Sequence, residues 1–159
     1  MLAPVLGVHA VSSLQISETK QPTLLMQDIS ILGMHMGPRF ETYAAPTGVE
    51  VNDLQSWHSV IDWWFKTYSD YAVAVKSQAA YSRNIDFEDV PPEQVEQVFK
   101  KTLNEEPVTP SDKRSLQDHL FWYSARKATE HNLPVKVHTG YYAGQNRMPL
   151  GRLQKNAAA

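Results

Sequence analysis

The chain of 159 residues has no cysteine. That excludes disulfide bridges, thiolate metal ligands and a cysteine nucleophile, so any metal must be held by His, Asp, Glu or a modified lysine. It also lacks any apolar run approaching the ~20 residues of a membrane-spanning helix. The opening Met1–Val11 is apolar but has no basic start and is interrupted by His9, which makes it a poor secretion signal. Charge of one sign is missing as well: 15 Lys and Arg face 17 Asp and Glu, a net charge of -2. Such a balance provides no electrostatic footprint for nucleic acid or an anionic membrane. These absences lead us to expect a cytoplasmic protein with no nucleic acid partner and no membrane partner. The oligomeric state is left open.

What is present is ordinary for a globular domain: 42% apolar and 20% charged residues, in a length that can bury a real core. Val5–Val8 reads as a short buried strand. Leu24–Met34 fits both a helical and an alternating pattern, and short apolar runs are not settled by period alone. Asn52–Tyr68 is the clearest helix, with Leu54, Trp57, Ile61, Trp64, Phe65 and Tyr68 on one face and Asn52 and Gln55 spaced as a capping box. Trp57, Trp63 and Trp64 read as packing residues. Tyr71–Lys76 reads as a buried strand ending in lysine, and Ser77–Asp89 as a polar loop. Two helices follow: Pro91–Leu103, and one opened by a Thr109 cap with Pro110 behind it. The second presents Leu116, Leu120, Tyr123 and Ala128 inward and is ended by Asn132 and Pro134. A last strand, Val135–Val137, leads to His138-Thr-Gly140. Strands alternating with helices argue for a parallel sheet covered by helices.

Lys76 and His138 occupy equivalent positions, each at the carboxyl end of a predicted parallel strand, where α/β folds build their sites. Imidazole there binds a metal or shuttles a proton, and an ammonium binds a carboxylate. On pattern alone, a solvent-directed lysine is an equally good account of Lys76, and a core histidine a somewhat better account of His138. His35, His58, His119 and His131 read as loop or helix-surface residues, with His131 near a helix end where it offsets the dipole.

The segment Val135-Lys-Val-His138-Thr-Gly-Tyr-Tyr-Ala-Gly-Gln-Asn-Arg147-Met-Pro-Leu150 resembles the fifth-strand segment of the amidohydrolase superfamily. Its amidohydrolase-related branch of metal-dependent hydrolases is the nearer likeness. Ala72-Val-Ala-Val-Lys76-Ser-Gln-Ala-Ala-Tyr81-Ser-Arg83 is similar to the fourth-strand segment of that branch. The resemblance implies an α/β fold of the (β/α)8 TIM-barrel kind, of which residues 1–159 would be a single incomplete domain covering roughly the third to fifth strand units. It implies a divalent metal, zinc foremost and manganese, iron or nickel otherwise, with His138 as the fifth-strand ligand. It also implies that Lys76 is either a carboxylated metal bridge or, by slight preference, an ammonium anchoring a substrate carboxylate. Tyr81, Arg83 and Arg147 would then contact the substrate. The superfamily's His-X-His pair is absent, as are its later His and Asp ligands. Asn156–Ala159 reads as a helix begun and not closed.

The resulting expectation is a central piece of an enzyme that activates water on a metal to hydrolyse a small carboxylated substrate. The isolated piece is expected to be inactive, loosely folded, and to expose apolar surface. Two alternatives stand beside it. One is a lyase, decarboxylase or uronate-isomerase-like enzyme of the same superfamily. The other is a complete small α/β binding domain without catalysis.

Overall fold

A computed structural model describes residues 27–139. The predicted strand Val5–Val8, His9, the loop bearing Arg147 and the tail Asn156–Ala159 lie outside the described residues. The elements run β1 (Asp28–Ser30), α1 (Leu32–His35), α2 (Phe40–Ala44), α3 (Leu54–Tyr68), β2 (Ala74–Ser77), α4 (Pro92–Leu103), α5 (Pro110–Glu130) and β3 (Val135–Val137), with 3-10 turns at Ser69–Tyr71 and Ala79–Tyr81. The ambiguous segment is thus both things in turn: a short strand, then a single helical turn.

Local chemistry explains the boundaries. The helix α3 starts one residue later than the Asn52 pattern predicts. Asp53 is its cap, accepting from the Ser56 backbone at 2.7 Å, while the Ser56 hydroxyl accepts from the Asp53 backbone at 3.0 Å. Serine closes the reciprocal box in place of the glutamine expected there. The helix α5 starts as its sequence dictates, with the Thr109 hydroxyl accepting from the Asp112 backbone at 3.1 Å. Both α4 and α5 end in paired six-to-one and five-to-two backbone bonds, with Glu105 and Asn132 in the left-handed region at φ 58 and 56°.

The three strands are parallel in the order β1-β2-β3. The core shared by the sheet with α3, α4 and α5 puts both helical connections on one face. On that face Ile29 and Val75 join the core, and Val135 and Val137 pack against it. The opposite face carries Asp28, Ser30, Ala74, Lys76 and Lys136, aligned by the register Asp28↔Ala74, Ser30↔Lys76 and Lys76↔Lys136. The core itself is aromatic. Trp57, Trp64, Phe65 and Phe99 are buried, and the indole nitrogens of Trp57 and Trp64 donate to the carbonyls of Met34 and Tyr43 at 3.2 and 2.9 Å. Gly33 is required by close approach, because a β-carbon there would sit 2.6 Å from the Tyr43 ring.

Two expectations are corrected here. The predicted segment of a (β/α)8 TIM barrel is not what the chain forms. Barrel closure needs every strand to have two neighbours, whereas β1 and β3 each pair with β2 alone among the described residues. The observed architecture is a small α/β layer of three parallel strands and helices. Among the described residues the expected apolar exposure is not found either. Among the described residues Val73 is the one exposed large apolar side chain. The sheet face turned from the helices meets its surroundings with carboxylate, hydroxyl and ammonium groups instead.

Candidate functional site at the carboxyl edge of the sheet

The carboxyl ends of all three strands lie on one side of the molecule, the side on which open α/β sheets bind ligands. Lys76 is half-buried on the polar face of the central strand. His138 follows β3 directly, and its backbone nitrogen donates to the Ser77 carbonyl at 3.0 Å. Pleat alternation puts His138 on the same face as Lys76 and Lys136. The Tyr81 ring stacks on the His138 imidazole, with centroids 4.8 Å apart and planes within 8°. The structure therefore brings three of the predicted residues, Lys76, Tyr81 and His138, to one edge.

The charges of that face are unequally matched. Lys136 reaches across β2 to Asp28, with Nζ to Oδ2 at 2.6 Å. Among the described residues no carboxylate forms an ion pair with Lys76. An unmatched ammonium on a strand end is a group that can take up an anion.

Arg83 is placed elsewhere. Its guanidinium is buried behind the loop, with Nη2 2.6 Å from Asp118 Oδ1. Its Nη1 donates to Gln117 Oε1 at 3.2 Å and its Nε to the Asn84 carbonyl at 3.0 Å. The Phe87 ring lies 4.5 Å below. Burial pushes the Asp118 carboxyl up, and the neighbouring Arg83 charge opposes that rise. This arrangement ties α5 to the loop after β2. Arg147 lies outside the described residues.

Sequence reasoning missed three histidines. His35 is fully buried, with Nε2 3.0 Å from the Ser77 hydroxyl. Burial, aided by the Arg83 charge, holds it down to about 3. His58 and His119 face each other, Nε2 to Nε2 at 3.0 Å, and His119 Nδ1 donates to the Val90 carbonyl at 2.7 Å. Burial lowers both rings, and in their neutral forms His119 Nδ1 donates to Val90, so its Nε2 accepts and His58 Nε2 donates. Burial, then the His119 charge, pushes His58 down to about 4. His58 also stacks on Tyr123 at 3.8 Å, and the Tyr123 hydroxyl donates to Asp62 at 2.8 Å. A signal was there to read: His58 falls on the stripe of Leu54, Ile61 and Phe65, and His119 on that of Leu116, Leu120 and Tyr123.

The residues described do not by themselves fit a metal ion. Among them no three His, Asp or Glu side chains converge, and one imidazole does not make a metal site. No protein-family model matches the chain, and no curated protein matches it. No helix among the described residues is long and apolar enough to cross a membrane.

Proposed function

We propose that the carboxyl edge of the sheet binds a small carboxylated molecule for hydrolysis, as in the amidohydrolase-related enzymes the sequence resembles. The observation that supports this is the gathering of Lys76, Tyr81 and His138 at one edge, where among the described residues Lys76 has no ion-pair partner while Lys136 is paired with Asp28. In this reading Lys76 acts as an ammonium anchor for the substrate carboxylate. Stacking on Tyr81 fixes the plane of the His138 ring, which sets the direction in which its nitrogens take or give a proton. A divalent metal such as zinc would supply an acidified water. His138 would be one ligand of the set such an ion needs.

The test uses the full chain with a panel of small carboxylated amides and lactones, with and without added zinc. Carboxylate binding is expected, weakened at least tenfold in Lys76→Met, and any zinc-dependent turnover is expected to be lost in His138→Ala. Turnover by loss of carbon dioxide in place of hydrolysis would move the reading to a lyase of the same superfamily. If neither variant changes carboxylate binding or turnover, the reading fails.

A further inference from the structure

A strip of polar groups bridges α3 and α5. His58 Nε2 and His119 Nε2 face each other across it at 3.0 Å, and the two residues are only 6% and 2% exposed. His119 Nδ1 holds the Val90 carbonyl at 2.7 Å, just before the start of α4. The pair therefore ties three parts of the helical layer at one point. Beside it, the Tyr123 hydroxyl and the Lys127 ammonium of α5 both reach Asp62 of α3, at 2.8 and 3.3 Å. A groove of about 550 Å³ runs over this seam, with Ser59, Asp62 and Trp63 on one wall and Lys127, Glu130 and His131 on the other. A polar contact beneath an open groove separates at less cost than one made of buried apolar side chains.

The pair has room for one hydrogen between its rings. Two nitrogens 3.0 Å apart bond as one donor and one acceptor, and a second hydrogen would set two donors face to face. A first added proton fits on His58 Nδ1 and leaves that bond intact. The next has only His119 Nε2 to go to, because His119 Nδ1 already donates to Val90, and there it breaks the pair.

The surroundings give an added charge little support. Burial opposes it on both rings, as do Arg126 and Lys127 of α5, while Asp53 of α3, Asp89 and Glu93 favour it. Asp89 is already paired with Arg126 at 3.1 Å, and Asp62 with Lys127. Burial pushes the Tyr123 hydroxyl up, so it stays protonated and neutral. Among the described residues no carboxylate is hydrogen-bonded to either imidazole. Rings released into water regain an affinity near 6.5. A ring that is neutral when the seam is closed and protonated when it is open raises the open population about tenfold for each pH unit below that, and two rings up to about a hundredfold.

We propose that the His58–His119 pair is a proton-operated latch: acidification parts α3 from α5 at this seam and releases the Val90 end of α4 while the sheet stays folded. None of these side chains lies at the carboxyl edge of the sheet, and the latch does not depend on the function proposed there.

The experiment is amide hydrogen exchange of the full chain, read residue by residue between about pH 7 and 5 and corrected for the intrinsic pH dependence of exchange. Amides of residues 58–62 and 119–127 should lose protection by more than tenfold per pH unit below about pH 6, the mark of two protons. At the acid end they should be at least tenfold less protected than the amides of β2. His58→Phe combined with His119→Met removes the titrating pair while keeping large side chains in its place, and the steep dependence should be lost. Spectra of the parent labelled with 15N-histidine give a reading that needs no variant: both rings should take up protons in step with the loss of protection. The proposal is overturned if protection at the seam does not change with pH, if β2 falls to the same level, if the double variant keeps the steep dependence, or if both rings become protonated while the seam stays protected.

Discussion

At the scale of single residues, polar groups in the interior carry the sharpest consequences. Arg83 and Asp118 are 9% and 3% exposed as side chains and lie 2.6 Å apart. Removing one partner leaves an uncompensated buried charge, which costs about 3–5 kcal/mol, whereas replacing both by apolar residues is far milder. Arg83→Met and Asp118→Asn should each lower stability by that amount in urea titrations. Arg83→Met with Asp118→Leu should recover most of the loss. The buried histidines make a second prediction. His35 and His58 are held near 3 and 4, below the 6.5 of an unperturbed imidazole. Between about pH 6.5 and 4 the unfolded chain binds protons that the folded chain refuses. Stability therefore falls as pH falls through that window, each group adding a slope of about 1.4 kcal/mol per pH unit. Thermal melts across the window should show the loss, and His58→Asn should shallow it. A melting temperature independent of pH there would contradict the buried neutral pair.

At the scale of elements, helix ends are where the sequence spoke most directly. Asp53→Ala removes the side-chain half of the α3 cap and should cost about 1 kcal/mol, measurable by chemical denaturation. Glu105 sits at a left-handed position, φ 58°, that glycine occupies without strain. Glu105→Gly should stabilise the chain by about 1 kcal/mol, and a loss of stability would mean that its carboxylate makes a contact of its own. The helix α5 behaves differently from α3. Leu116 through Phe121 are buried in one continuous run that includes Gln117, Asp118 and His119. Over that run the helix is buried on all sides, so polar Gln117 and Asp118 enter the interior beside the apolar stripe on which His119 falls.

At the scale of the whole molecule, α2, α3, α4 and α5 contribute to one core that also includes Ile29 and Val75 of the sheet. One core predicts one cooperative transition. Tryptophan fluorescence and far-ultraviolet dichroism should report coincident unfolding midpoints. Separated midpoints would show that the helical layer and the strands fold apart, as the loosely folded state expected from the sequence requires. Phe99 is fully buried and meets the Phe40 ring at 5.3 Å, joining α4 to α2. Phe99→Ala should cost about 3–5 kcal/mol of that transition.

Without settling β1, α1 or α2, the sequence by itself determined the helices α3, α4 and α5, the strands β2 and β3, the caps at Thr109 and Asn132, the parallel α/β class and the position of Lys76 and His138 at strand ends. Each of these follows from local chemistry: apolar spacing, side chains that satisfy helix-end amides, and residues that stop a helix. Three things were decided only by the tertiary structure. Strand pairing, and with it the absence of barrel closure, depends on partners far along the chain. Arg83 looked like a substrate contact beside Lys76, but Asp118, thirty-five positions away, draws it inward because a buried guanidinium needs a carboxylate. The His58–His119 pair and the buried His35 ring exist because folding removes those rings from water, and a sequence pattern does not say which polar groups will share a dry interior.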